Sequence, residues 1–148
     1  MRRAETDMIV ICAVEETPAR AIVYFDGGCP LCTAEINHYR SQDGADHLCF
    51  VDAAQADAEL GTDLNAHAAK RRLHVRLPDG TLVSGARAFA AIWQALPGWR
   101  WAARIAQMPG AAAILELGYR LFLPVRPLLS KGAARLGAKP MPRHRSDC

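Results

Sequence analysis

Two cysteines three positions apart, Cys29 and Cys32, are the residues whose type and spacing most directly suggest chemistry in this chain. They end the run Ala21-Ile22-Val23-Tyr24-Phe25-Asp26-Gly27-Gly28-Cys29-Pro30-Leu31-Cys32. Its first five residues, β-branched and aromatic, have the composition of a buried strand. Asp26-Gly27-Gly28 is a turn cluster, and Pro30 suits the first position of a helix, where its missing N–H costs nothing. Cys32, Ile36 and Tyr39 then recur at helical spacing as an apolar stripe. The pair is therefore expected where a strand feeds a helix. A sulfur there meets unsatisfied N–H groups and the positive end of the helix dipole, and both favour a thiolate. On this reasoning Cys29 is the exposed, acidic nucleophile and Cys32, on the stripe, the shielded thiol that resolves a mixed disulfide.

The same sulfurs suit a metal. Cys29-x2-Cys32-x14-His47-x-Cys49 offers four zinc-type ligands, so a small zinc-binding or protein-interaction module using Cys29, Cys32, His47 and Cys49 is the alternative. Against it, His47 opens the second strand, whose start lies at the sheet end away from the pair. Cys49 then reads more simply as a small buried hydrophobe. Cys12 and Cys148 fall in expected tails and receive no role. Asp26 as a phosphotransferase nucleophile fails for want of a second acid two residues on, where Gly28 stands. Asp26 otherwise has two readings, a turn former bonding nearby N–H groups or a proton relay to the thiols, and the turn is favoured. Gly27 and Gly28 give the backbone freedom for close approach.

The elements that position these residues follow from pattern. After the helix that starts at Pro30, Leu48-Cys49-Phe50-Val51 is a second strand. Residues 56–72 favour helix with a break near Gly61, where Thr62 or Asp63 is the expected N-cap. Leu73-His74-Val75-Arg76-Leu77 alternates with period two, Pro78-Asp79-Gly80 turns, and Thr81-Leu82-Val83 returns as a hairpin partner. Helices are expected over 85–96, 99–107 and 111–123, followed by a Pro/Gly/Arg-rich tail from Pro124. Trp93 belongs to the core by spacing, whereas Trp99 and Trp101 cannot both face inward.

At 148 residues the chain has room for one ordinary domain, and 51% apolar with 22% charged residues excludes a disordered chain. The most apolar stretch, 110–129, is broken by Glu116, Arg120, Pro124, Arg126 and Pro127, so no membrane span is expected. Glu5 and Asp7 spoil a signal-peptide pattern, and the odd set of five cysteines is not a disulfide framework. A cytoplasmic setting is expected. Net charge is uneven: residues 1–84 carry 8 Lys/Arg against 13 Asp/Glu, and residues 85–148 carry 10 against 2. The C-terminal arginines are spaced singly among apolar residues, like solvated helix faces, and no nucleic-acid partner is expected.

The stretch Tyr24 to Cys32 resembles the signature of the DCC family of predicted thiol-disulfide oxidoreductases. The similarity continues through Leu73-His74-Val75, Pro78-Asp79-Gly80, Gly85-Ala86-Arg87-Ala88-Phe89, Ile92-Trp93 and Leu96-Pro97-Gly98. It implies a thioredoxin-like α/β fold: a four-stranded mixed sheet with flanking helices, here with extra C-terminal helices. It also implies Cys29 and Cys32 as a redox-active disulfide pair acting on protein or low-molecular-weight thiols, with no cofactor beyond the pair. The expected organisation is an N-terminal tail or edge strand over 1–19, the domain over 20–125 and a basic tail over 126–148. Asp26, Gly27, Gly28, Pro30 and His74, at the start of the third strand, are the supporting residues. The chain departs from thioredoxins themselves in two places. No proline stands just before the third strand, and Val23 occupies the position of their buried acid.

Overall fold

The computed structural model describes residues 20–140 and Cys148; the N-terminal segment with Cys12 and the possible edge strand over 8–14 lies outside the described residues. Strand β1 (Ala21–Phe25) runs into helix α1 (Pro30–Arg40), and β2 (Leu48–Asp52) follows. Helix α2 (Ala66–Arg71) leads to β3 (His74–Arg76) and β4 (Leu82–Ser84), and then come α3 (Ala86–Ala95), α4 (Arg100–Ala106) and α5 (Ala111–Arg135). The sheet order is β2-β1-β3-β4, with β1 parallel to β2 and both other pairings antiparallel. This is the expected mixed four-stranded α/β sheet, with β1 at its centre.

Alternation along β1 divides the core. Ala21, Val23 and Phe25 pack with Leu48 and Phe50 against Ile36 of α1 and Ile92 of α3. Tyr24 joins Cys49, Val51 and Ala69 on the α2 side. Trp93 and Trp99 pack on the first cluster, while Trp101 stacks on Trp99 and stays exposed, as the two-residue spacing requires.

Three expectations are corrected. The helix foreseen over 56–72 is present only as Ala66–Arg71, capped by Asn65, whose Oδ1 accepts the Ala68 N–H at 2.9 Å. Neither Thr62 nor Asp63 caps it; Asp63 instead pairs with Arg76 at 2.6 Å. More important, α5 does not stop at Leu123 but continues through Pro124 and Pro127 to Arg135, so the segment expected as a tail begins inside a helix. Proline already has helical φ, and each of these costs one backbone bond. Both prolines sit on the exposed side of the helix, so their rings meet no packed neighbour that would force a break. Packing decides the rest: α5 lies across α1 and α3, while its outer face exposes Ile114, Leu117, Leu121 and Leu128. Among the described residues no helix is long and apolar enough to cross a membrane.

Candidate active site

Asp52 sets the turn between β1 and α1. At the buried end of β2, its Oδ1 accepts the Gly27 and Ala54 N–H groups, each at 2.8 Å. Gly27 is required because a Cβ there would collide with that carboxylate. Asp26, next in the turn, accepts the Gly28 N–H at 3.1 Å through Oδ1, and its backbone carbonyl accepts the Cys29 N–H at 3.1 Å. Pro30 occupies the first turn of α1 as expected, and Cys29 is the N-cap.

Three groups surround the Cys29 sulfur besides the Cys32 thiol. The Cys32 N–H donates to it at 3.5 Å, and the Ser130 hydroxyl of α5 lies 3.5 Å away. Arg126, one turn before Ser130, reaches Asp26 Oδ2 at 3.1 Å and also supports the sulfur. The Cys32 thiol hydrogen bond, helped by Ser130, the Cys32 N–H and Arg126, outweighs burial and brings Cys29 down to about 4. Cys32 moves the other way: the Cys29 thiolate beside it, and then burial, hold its proton on. Burial likewise raises Asp26 and Glu35, against the opposing pull of Arg126 and, for Glu35, of the Tyr39 hydroxyl that donates to it at 3.0 Å.

Exposure runs against the expected order. Cys29 is 8% exposed and Cys32 only half-buried. The reason is α5, which crosses the start of α1 and places Ser130 on the sulfur. Cys29 nevertheless opens on a cleft of about 890 Å³ between α2 and α5, whereas Cys32 faces a small pocket with Asp26, Glu35 and Arg126. Cys29 is thus the less exposed but the more acidic of the two sulfurs.

A family model describing DCC1-like thiol-disulfide oxidoreductases matches residues 23–131. The chain belongs to that family. No curated protein and no solved structure matches it. The family match extends past Arg126 and Ser130, so the α5 segment that reaches Cys29 is part of the family domain. The DCC1-like identity accounts for the paired thiols and the thioredoxin-like sheet around them.

The zinc alternative is overturned. Among the described residues no group of three or more His, Cys, Asp or Glu side chains is placed to hold a metal. Cys49 pairs in register with Ile22, at the end of β1 remote from Cys29, and His47 precedes that strand. Cys49 is also not a lone buried hydrophobe: it forms a disulfide with Cys148, a residue the sequence left without a role. His74 pairs with Tyr24 on β1, and its Nδ1 lies 2.8 Å from the Arg72 carbonyl. It lines neither the cleft nor the small pocket. Pattern reading missed Asp52, Glu35, Arg126 and Ser130. An acid directly after the apolar run of β2 was a readable signal for Asp52. Arg126 and Ser130 were hidden by the two prolines.

Proposed function

We propose that this DCC1-like protein carries out thiol–disulfide exchange with Cys29 as the attacking sulfur and Cys32 as the resolving one. The observation that carries this reading is the convergence of the Cys32 N–H and the Ser130 hydroxyl on one sulfur at the mouth of a helix. The Cys29 thiolate attacks one sulfur of a substrate disulfide, a mixed disulfide forms, and the other half leaves as a thiolate. That step removes the charge that held the proton on Cys32, so Cys32 becomes acidic when it is needed. Asp26 and Glu35 share its pocket and take up the proton. Cys32 then attacks the Cys29 sulfur, closes the intramolecular disulfide and frees the second thiolate.

Gly27, Gly28 and Pro30 serve by shaping the turn and the helix start, and Asp26 by anchoring Arg126. His74 acts indirectly, by bracing the Arg72 carbonyl. In the reducing, cytoplasmic setting expected from the sequence the active pair would rest as the dithiol, whereas the Cys49–Cys148 disulfide favours a more oxidising one.

Trapping tests the assignment. With Cys12, Cys49 and Cys148 changed to Ser, Cys32→Ser should accumulate a mixed disulfide on Cys29 when mixed with a small disulfide. Cys29→Ser should accumulate none. Trapping that persists without Cys29 would overturn the assignment of roles.

A further inference from the structure

The cleft on which Cys29 opens has a composition that constrains its ligand. Its walls carry Lys70, Arg71, Arg72 and Arg126, and its one carboxylate is Asp26. Asp26 is already paired with Arg126, and Arg72 is paired with Glu116. Lys70 and Arg71 are exposed and, among the described residues, have no ion-pair partner. Two free cations therefore flank the route to the sulfur. Leu123, Pro124 and Pro127 give the α5 wall an apolar face, and His67 and Ser130 complete the polar lining.

Backbone geometry narrows the choice further. An extended polypeptide docks on such a fold by adding its main chain to unpaired backbone groups. Between α2 and β3, beside the cysteines, those groups are occupied. The Arg126 guanidinium donates to the Lys70 and Arg71 carbonyls at 3.0 and 3.4 Å, and the Leu73 N–H donates to the Tyr119 hydroxyl at 2.9 Å. The Leu73 carbonyl accepts the Gly85 N–H at 3.1 Å. Helix α5 has thus taken the backbone a peptide substrate would use, and left a cleft whose volume of about 890 Å³ suits one small molecule.

We propose that the substrate is a small thiol or disulfide bearing carboxylates, held by Lys70 and Arg71 while its sulfur meets Cys29. This rests on the exchange chemistry proposed above and adds the ligand class. The substrate disulfide R–S–S–R is the oxidant: Cys29 and Cys32 lose two electrons to it and become a disulfide. The two R–S groups leave as thiolates, and the Cys32 proton passes through the neighbouring carboxylates to solvent. In reverse, two R–SH reduce the protein. No other co-reactant is needed.

A charge series tests it. Reduced protein, with Cys12, Cys49 and Cys148 changed to Ser, is mixed at low salt with 3,3′-dithiodipropionate, hydroxyethyl disulfide or cystamine. Formation of the Cys29–Cys32 disulfide is followed by mass spectrometry after acid quench. The anionic probe should react about tenfold or more faster than the cationic one, and the ratio should shrink as salt is raised. The ratio should collapse in Lys70→Ala/Arg71→Ala and invert in Lys70→Glu/Arg71→Glu; both sites are exposed side chains whose backbone roles survive substitution. A ratio unchanged by these variants would overturn the inference, as would faster oxidation by a protein disulfide such as that of insulin. If no probe closes the Cys29–Cys32 disulfide, it is the exchange reading itself that fails.

Discussion

Arg126 Nη2 lies 3.1 Å from Asp26 Oδ2, so a helix a hundred residues downstream is tied to the turn that presents Cys29. Both side chains are largely shielded, 13% and 22% exposed. The same guanidinium reaches the carbonyls of Lys70 and Arg71. One side chain therefore holds together α5, the end of α2 and the β1–α1 turn. It also supplies positive charge beside both sulfurs.

Replacing Arg126 should separate these roles. Arg126→Met is expected to raise the pH at which Cys29 alkylates at half its maximal rate, and to cost about 1–3 kcal/mol of stability through the lost buried hydrogen bonds. Arg126→Lys keeps the charge but not the planar fork, so it should retain much of the acidity and lose the link to α2. Iodoacetamide kinetics against pH, beside urea unfolding, reads both. An unchanged Cys29 profile in Arg126→Met would rule out its support of the thiolate.

The pH behaviour of the reduced protein follows from the sulfurs. Cys29 is brought down to about 4, first by the Cys32 thiol and then by Ser130, the Cys32 N–H and Arg126. Its alkylation rate should stay level from pH 8 to about 5.5 and fall only near 4, where an ordinary cysteine loses about tenfold per unit below ~8.5. Cys32 should label far more slowly throughout. Because the folded pKa of Cys29 lies below its unfolded value, its contribution to stability is full above ~8.5 and is lost as the pH falls towards 4. Cys32, shifted upward, opposes this only above its own ordinary range. The disulfide form has neither group. Reduced protein should therefore gain stability relative to oxidised protein between pH 5 and 8, measured by urea unfolding of each form; a flat difference would contradict the assignment.

Gly27 and Asp52 should prove inseparable. Gly27→Ala drives a methyl group into the Asp52 carboxylate, for a cost of about 1–3 kcal/mol. Asp52→Ala leaves the Gly27 N–H without its acceptor at a similar cost. Each should slow Cys29 alkylation, since the turn they share sets the N-cap. The double variant should cost less than the two single costs together, which a double-mutant cycle measures directly.

What the sequence revealed was local. The passage from strand to turn to helix around Cys29 is written in consecutive residues, and Pro30 and the 32-36-39 stripe mark the helix start. The hairpin at Pro78-Asp79-Gly80 was legible for the same reason, and strands β1 to β4 fall within two residues of their expected bounds. What was hidden depends on distant contacts. Pro124 and Pro127 break the local helix signal, yet α5 persists because Tyr119, Arg126 and Ser130 find partners in Leu73 before β3, the end of α2 and the Cys29 N-cap of α1. The shielding of Cys29 and the occupied Lys70 and Arg71 carbonyls both follow from that one extension. The segment before α2 erred in the opposite direction: residues 56–64 favour helix by composition, yet Ala58, Leu60 and Leu64 reach the Tyr24 cluster without forming one.

Glu116 anchors the far end of the same helix. Burial alone would raise its pKa, but Arg72 at 2.5 Å, the Ala86 N–H at 3.1 Å and Arg120 at 2.9 Å bring it to about 2. Stability drawn from this group is present above its ordinary pKa of ~4.3 and is lost as the pH falls towards 2. The site is partly solvated, so Glu116→Gln should cost about 1 kcal/mol at pH 7 and progressively less in acid. Urea midpoints for both proteins at pH 7 and pH 3 test the convergence.

The Cys49–Cys148 disulfide should be independent of the active pair. Cys49 lies opposite Ile22 near the start of β1, while Cys29 follows the other end of that strand, beyond Phe25. The bond links residues 99 apart in sequence, and a crosslink of that length contributes about 2–4 kcal/mol in typical cases, chiefly by restricting the unfolded chain. Cys148→Ser should lower the unfolding midpoint of the oxidised protein accordingly. It should leave both the pH profile and the rate of Cys29 alkylation unchanged. The Cys49 thiol that it frees should label more slowly than an exposed cysteine, because Cys49 packs with Tyr24, Val51 and Ala69. If removing Cys148 shifted the Cys29 profile, the two cysteine pairs would have to communicate through β1, and their spatial separation along that strand would not amount to functional separation.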